Sequence, residues 1–156
     1  RVKIGSSQCT KPYEASLFNI SAMSYGSLSK NAIIALNEGA KRGGFFHNTG
    51  EGGLSPYHLQ GGDVVWNIGT GYFSCRNFDG TFNVDEYEKR ALLDNVKMIE
   101  IKFSQGAKPG HGGILPKEKV TDEIAAIRLV NKGHDIISPP THSAFTTPLE
   151  LMDFIK

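Results

Sequence analysis

Short runs of strand-forming residues, each running into a polar, glycine-rich segment and separated by helix-periodic stretches, constrain this chain more than any other feature. Leu17 to Met23 leads into Ser24-Tyr25-Gly26-Ser27, and Phe45 to Asn48 into Thr49-Gly50-Glu51-Gly52-Gly53. Val64 to Ile68 leads into Gly69-Thr70-Gly71, and Val96 to Phe103 into Ser104 to Gly113. Between the first two, Ala32, Ile33, Leu36 and Ala40 recur at helical spacing behind Ser29 as a cap and ahead of Gly43-Gly44 as a stop. Asn83 or Asp85 opens a second helix to about Leu93, and Thr121 caps a third to about Val130. A strand, loop, helix rhythm predicts a parallel sheet with helices outside, a fold in which ligands bind at the carboxyl ends of the strands. All four polar segments fall at such ends and are expected to converge on one rim.

The remaining sequence is read more coarsely. Leu17 to Met23, all apolar or small apart from Asn19, is expected to be a strand buried on both faces. Ser55 to Gly62 reads as loop, Asn77 to Gly80 as turn, and His134 to Ser138 as a short extended piece stopped by Pro139-Pro140. A terminal helix is expected from Thr147 with Pro148 in its first position. Arg1 to Glu14 is polar and turn-rich, so residues 1–16 are expected at the periphery of a single partial domain covering 1–156. An amino-terminal Arg1 and a last helix without a glycine cap are what a piece of a longer chain would show.

Composition narrows the partners. With 39% hydrophobic and 21% charged residues in 156, the chain has ordinary globular composition. A net charge of +1 with no basic run offers no footprint for nucleic acid or an anionic membrane, and no apolar run approaches the length of a bilayer span. Cys9 and Cys75 are far apart and outside any Cys-x-x-Cys spacing, which supports neither a disulfide framework nor a metal site. His47, His58, His111, His134 and His142 likewise lack metal-ligand spacing and read as structural or peripheral. A reducing, cytoplasmic compartment is expected.

Glycine admits close backbone approach and positive φ, and the charges of Glu51, Lys102 and Lys108 among glycines are costly without a partner. That pairing suggests a ligand site, against the plainer alternative of two tight turns. Each side chain also has a duller alternative. Met23 fits core packing, Asn67 the satisfaction of strand-end backbone groups, and Lys102, Lys108 and Arg128 solvated surface positions.

Four ordered motifs, Ser21-Ala22-Met23-Ser24-Tyr25-Gly26, Asn48-Thr49-Gly50-Glu51-Gly52-Gly53, Ile101-Lys102 to Gly113 and Ile137-Ser138-Pro139-Pro140, resemble the FMN-binding synthase domain of glutamate synthase from about residue 17 onward. The resemblance implies a TIM-type (β/α)8 barrel, of which this chain would supply roughly the first half, about four β/α units. It implies an oxidoreductase in which 2-oxoglutarate, ammonia and a hydride from reduced FMN yield L-glutamate. By motif match, Ala22, Met23 and Ser24 would lie against the flavin, Asn67 would bond its pyrimidine edge, and Lys102 would stabilise negative charge near N1 and O2. Lys108 and Arg128 would bind the carboxylates of the oxo-acid, and Glu51 would orient ammonia or the imine. The electron donor would be an NADPH-linked subunit or ferredoxin, and an iron-sulfur cluster would need cysteines beyond residue 156. Leu54, Tyr72, His111 and Ile114 stand where the family often has an acidic residue, Arg, Glu and Gln, so the resemblance bears more firmly on the cofactor than on the substrate. A non-redox module for an anionic metabolite, or a structural half-barrel completed by further chain, are the competing expectations.

Overall fold

In the computed structural model, which describes residues 1–105 and 110–156, the elements follow the chain as β1 (Val2–Ile4), β2 (Tyr13–Ala15), α1 (Lys30–Gly43), β3 (Phe46–Asn48), β4 (Asp63–Ile68), α2 (Val84–Ala91), β5 (Val96–Ile101), β6 (Ile114–Leu115), α3 (Asp122–Arg128), β7 (Ile136–Ile137) and α4 (Pro148–Ile155). The helix ends are where the capping chemistry puts them. Ser29, Asn83, Thr121 and Thr147 each accept a first-turn backbone N–H, and α1 stops at Gly44 with φ 64°. No helix among the described residues is long and apolar enough to cross a membrane.

The central sheet is parallel, in the order β3-β4-β5, with Asn48 beside Val65 and Asn67 beside Glu100. Residues 20–23 run along the free edge of β3. Ile20 N–H donates to Phe46 C=O, Asn48 N–H to Ile20 C=O and Met23 N–H to Asn48 C=O at 3.0, 3.1 and 3.1 Å. Spatial order therefore follows sequence order from residue 20 to β5. β4 is flanked on both sides, and its residues from Val64 to Ile68 are all buried. One face, Val64, Trp66 and Ile68, packs with Leu54, Tyr72 and Cys75 beneath Phe82 and Tyr87, the Trp66 and Tyr87 rings stacked at 5.8 Å. By strand alternation Val65 and Asn67 occupy the other face.

Two expectations need correction. The segment 17–23 is not a strand buried on both faces: Leu17 and Phe18 are 84% and 73% exposed, and only Ile20 forms a bridge, to His47. Local polar bonds compete with the ladder. Asn19 Nδ2 donates to Ser16 C=O at 2.7 Å, while Asn19 Oδ1 accepts from Phe46 N–H. In the polar amino-terminal stretch, read from sequence as turn-rich, β1 and β2 pair antiparallel. Tyr13 O–H donates to Asp63 Oδ2 at 2.8 Å and the Arg1 guanidinium to Gly44 C=O at 2.8 Å, which fastens the hairpin to the amino end of β4 and the carboxyl end of α1. The short extended piece expected at 134–138 holds β7, which lies outside the parallel sheet. β7 pairs antiparallel with β6, over a second core of Phe73, Val120, Val130 and Ile136.

Candidate functional site

A cavity of about 680 Å³ opens at the carboxyl ends of β3, β4 and β5, and its walls draw on Ala22 and Ser24 from the first segment, Gly50 to Gly52, Asn67, Glu100, Lys102, Gln105, Gly113 to Leu115 and Arg128. Three of the four polar segments therefore contribute to one rim. The fourth lies behind it, with Tyr72 fully buried and Thr70 Oγ1 donating to Pro139 C=O at 2.6 Å.

The glycines serve a different purpose from ligand approach alone. A Cβ on Gly50, whose φ is 64°, would sit 2.9 Å from Ser24 N, and one on Gly52 would sit 3.0 Å from Ser24 Cβ and 3.1 Å from an Arg128 nitrogen. A Cβ on Gly112 would overlap Ser138 C=O. These glycines let strand-end loops pack directly on one another, and they make room for a guanidinium.

Lys102 continues the β5 ladder, its N–H donating to Ile68 C=O at 2.9 Å, and its carbonyl accepts from His142 Nε2 at 2.8 Å. His142 Nδ1 in turn accepts from Tyr72 O–H at 2.9 Å. The Lys102 ammonium forms an ion pair with Glu51, whose other oxygen accepts from Gln105 Nε2 at 2.6 Å. Both side chains are about one-third exposed, so the pair contributes about 1 kcal/mol or less to stability, and its importance is positional. Lys102 and Glu51, expected to face cofactor and substrate separately, thus hold each other.

Arg128 sits in the last turn of α3. It is 7% exposed, lies 4.9 Å above the Phe73 ring, donates to Tyr25 C=O at 3.3 Å, and leaves Nε without a partner among the described residues. Burial pulls its pKa down while the nearby charge of Glu51 pulls it up. A desolvated cation of this kind on a cavity wall suits a carboxylate. At the opposite end of α3, both oxygens of Glu123 accept phenol O–H groups, from Tyr25 and Tyr57.

Of the residues expected from sequence, Ala22, Ser24, Glu51, Asn67, Lys102 and Arg128 line the cavity. Met23 does not. Its carbonyl accepts from His58 Nε2 at 2.9 Å, and its N–H belongs to the β3 ladder. Asn67 is 2% exposed and donates from Nδ2 to Glu100, its neighbour on the cavity wall. Lys108 lies outside the described residues. Of the four departures, Leu54 and Tyr72 belong to the core and His111 is exposed and not among the described lining residues, which leaves Ile114 on the wall. Sequence reasoning missed Glu100, Gln105 and Ser138. The two-residue step from Glu100 to Lys102 in a strand was the available signal for the first.

The fold and site together define an α/β protein with a parallel sheet and a charged, loop-built cavity at its strand ends. Comparison with known sequences makes the class specific: the family model described as a conserved region in glutamate synthase matches residues 2–156, and the chain belongs to that family. A glutamate synthase large subunit-like protein, YerD, of Bacillus subtilis (strain 168) is 45% identical over 156 residues, covering 98% of this chain and 30% of the relative. The archaeal glutamate synthase [NADPH] of Methanocaldococcus jannaschii is 41% identical over 138 residues, 88% of this chain and 24% of the relative. The glutamate synthase [NADPH] large chain of Bacillus subtilis is 37% identical over 132 residues, 80% of this chain and 8% of the relative. The chain thus spans less than a third of the length of these relatives.

Proposed function

We propose that this chain forms the first half of the (β/α)8 synthase barrel of a glutamate synthase-type flavoprotein, which aminates 2-oxoglutarate with ammonia to give L-glutamate. The observation that carries this is the convergence of Lys102, Glu51 and Arg128 on one cavity at the carboxyl ends of parallel strands that follow each other in sequence order.

The residues present fit an isoalloxazine ring. Its flat body needs small neighbours, and Ala22, Gly50 and Gly52 supply them; its pyrimidine edge needs charged or polar partners, and Lys102 and Glu100 stand on the wall. Bound there, FMN supplies the hydride that reduces the imine of the oxo-acid. Lys102 stabilises negative charge at the N1 and O2 edge of the ring, with Glu51 and Gln105 fixing where its ammonium lies. Glu51, an acceptor on the rim, orients ammonia or the imine. Arg128 binds an oxo-acid carboxylate by charge-assisted hydrogen bonds, and Lys108 is proposed for the second.

The protein would act in the cytoplasm, and its electrons would come from an NADPH-linked subunit or ferredoxin. An iron-sulfur cluster would draw its cysteines from outside residues 1–156, where Cys9 is exposed and Cys75 is buried and free. In the full-length parent protein we expect one FMN per chain on purification, and slower flavin reduction by about a hundredfold in Lys102→Ala, the loss typical of one preorganised charge donor. A colourless parent that takes up no added FMN would contradict this reading.

A further inference from the structure

Glu100 stands on β5 directly beside Asn67 on β4, on the sheet face that leads to the cavity, and its side chain is exposed on the cavity wall. Asn67 Nδ2 donates to Glu100 Oε1. An ionised carboxylate can only accept, so this bond fixes the amide with its nitrogen toward Glu100. Asn67 Oδ1 is buried and without a partner among the described residues, and the residue as a whole is 2% exposed. Asn67 thus spends one of its two Nδ2 hydrogens on Glu100, and its buried Oδ1 is not a reachable acceptor. Glu100 has one: its Oε2 accepts no hydrogen bond among the described residues, and the neighbouring Lys102 ammonium is paired with Glu51 instead.

We propose that Glu100 is a ligand-binding residue of this cavity, its Oε2 accepting an N–H from the edge of the bound ring, and that Asn67 is a positioning residue acting through it. This rests on the flavin reading above, and it adds a charged acceptor beside the Asn67 contact that the motif suggests. The ligand chemistry it selects is a flat heteroaromatic ring with an imide N–H, which in a flavin is N3–H. Two residues along the same face, Lys102 supplies the donor for the carbonyl and nitrogen beside that N–H, so the strand alternation of β5 presents an acceptor and a donor in succession to one ring edge.

The test uses the full-length parent protein stripped of flavin, titrated by fluorescence quenching with FMN and with 3-methyl-FMN, whose N3 carries no hydrogen. A methyl group there removes a bond to a charged acceptor, so the wild type should prefer FMN by about tenfold or more. Glu100→Leu should bind FMN more weakly and discriminate less than about threefold, with its far-ultraviolet circular dichroism unchanged. Asn67→Ala, which frees Glu100 without removing it, should keep a partial preference. Wild type binding both flavins equally would overturn the proposal while leaving the cofactor reading intact. So would full discrimination in a folded Glu100→Leu, or its loss in Asn67→Ala alone. A parent that binds neither flavin overturns the cofactor reading and this proposal with it. The wild-type comparison decides the matter even where a variant fails to fold.

Discussion

His47 is fully buried between the sheet and its neighbours, with neither ring nitrogen hydrogen-bonded among the described residues and the His58 ring 5.1 Å away. Burial, with a smaller contribution from His58, lowers its pKa from 6.5 to about 4. The folded protein therefore keeps this imidazole neutral where the unfolded chain protonates it. Stability is fully present above the unfolded value of 6.5 and is lost as pH falls from there toward the folded value of about 4. A shift of this size is worth about 3 kcal/mol in full, and about 2 kcal/mol of it is gone near pH 5. His47→Phe removes the titration and gives up no hydrogen bond, so at neutral pH it should lie within about 1 kcal/mol of wild type. The assay is the urea midpoint of both proteins at pH about 7.5 and about 5, at matched m-values. His58 and His142 also have lowered pKa values through burial, so the wild type will weaken in acid from several sources, and the informative quantity is the difference between the two proteins. An equal acid loss in wild type and His47→Phe would refute the reasoning. Strong destabilisation of His47→Phe at neutral pH would show instead that a ring nitrogen has a partner.

Further outcomes follow from the same geometry. Gly50→Ala should lower stability by about 1–3 kcal/mol in a thermal melt, because φ of 64° and a Ser24 backbone nitrogen 2.9 Å away both oppose a Cβ. Tyr72→Phe should cost about 1–2 kcal/mol, since it leaves His142 Nδ1 and Ala144 N–H unpaired, and hydrogen exchange at residues 142–145 should speed up. Arg128→Met should raise the KM for the oxo-acid about 10- to 100-fold in the parent enzyme and leave FMN content unchanged, as befits a carboxylate-binding cation.

Where local chemistry and burial agreed, the sequence was a good guide. Ser29, Asn83 and Thr121 cap the helices their side chains suggested, and β4 and β5 are the two longest runs of strand formers. Glu51 and Lys102 were legible because each follows a strand, whereas Arg128 was brought to the site by motif match alone. Other features depend on partners distant in sequence. Nothing around Leu17 and Phe18 announces that Asn19 bonds Ser16 and Phe46 rather than letting the ladder extend. The antiparallel pair of β6 and β7 rests on two residues from each side, too short to leave a period. The glycines were recognised as special for a reason that proved incomplete, because the crowding neighbours, Ser24, Arg128 and Ser138, come from other loops. Asn67 matched a family position, yet only its cross-strand neighbour Glu100 decides which way the amide points.

The central claim is that this cavity couples a flavin to the amination of an oxo-acid. It is tested most directly by reducing the FMN of the full-length parent protein without oxygen and following flavin absorbance after mixing with 2-oxoglutarate and ammonia together and singly. Reoxidation that requires both compounds, with one L-glutamate formed per flavin reoxidised, is the predicted result. A flavin that stays reduced with both present, or reoxidises without forming glutamate, would contradict the account.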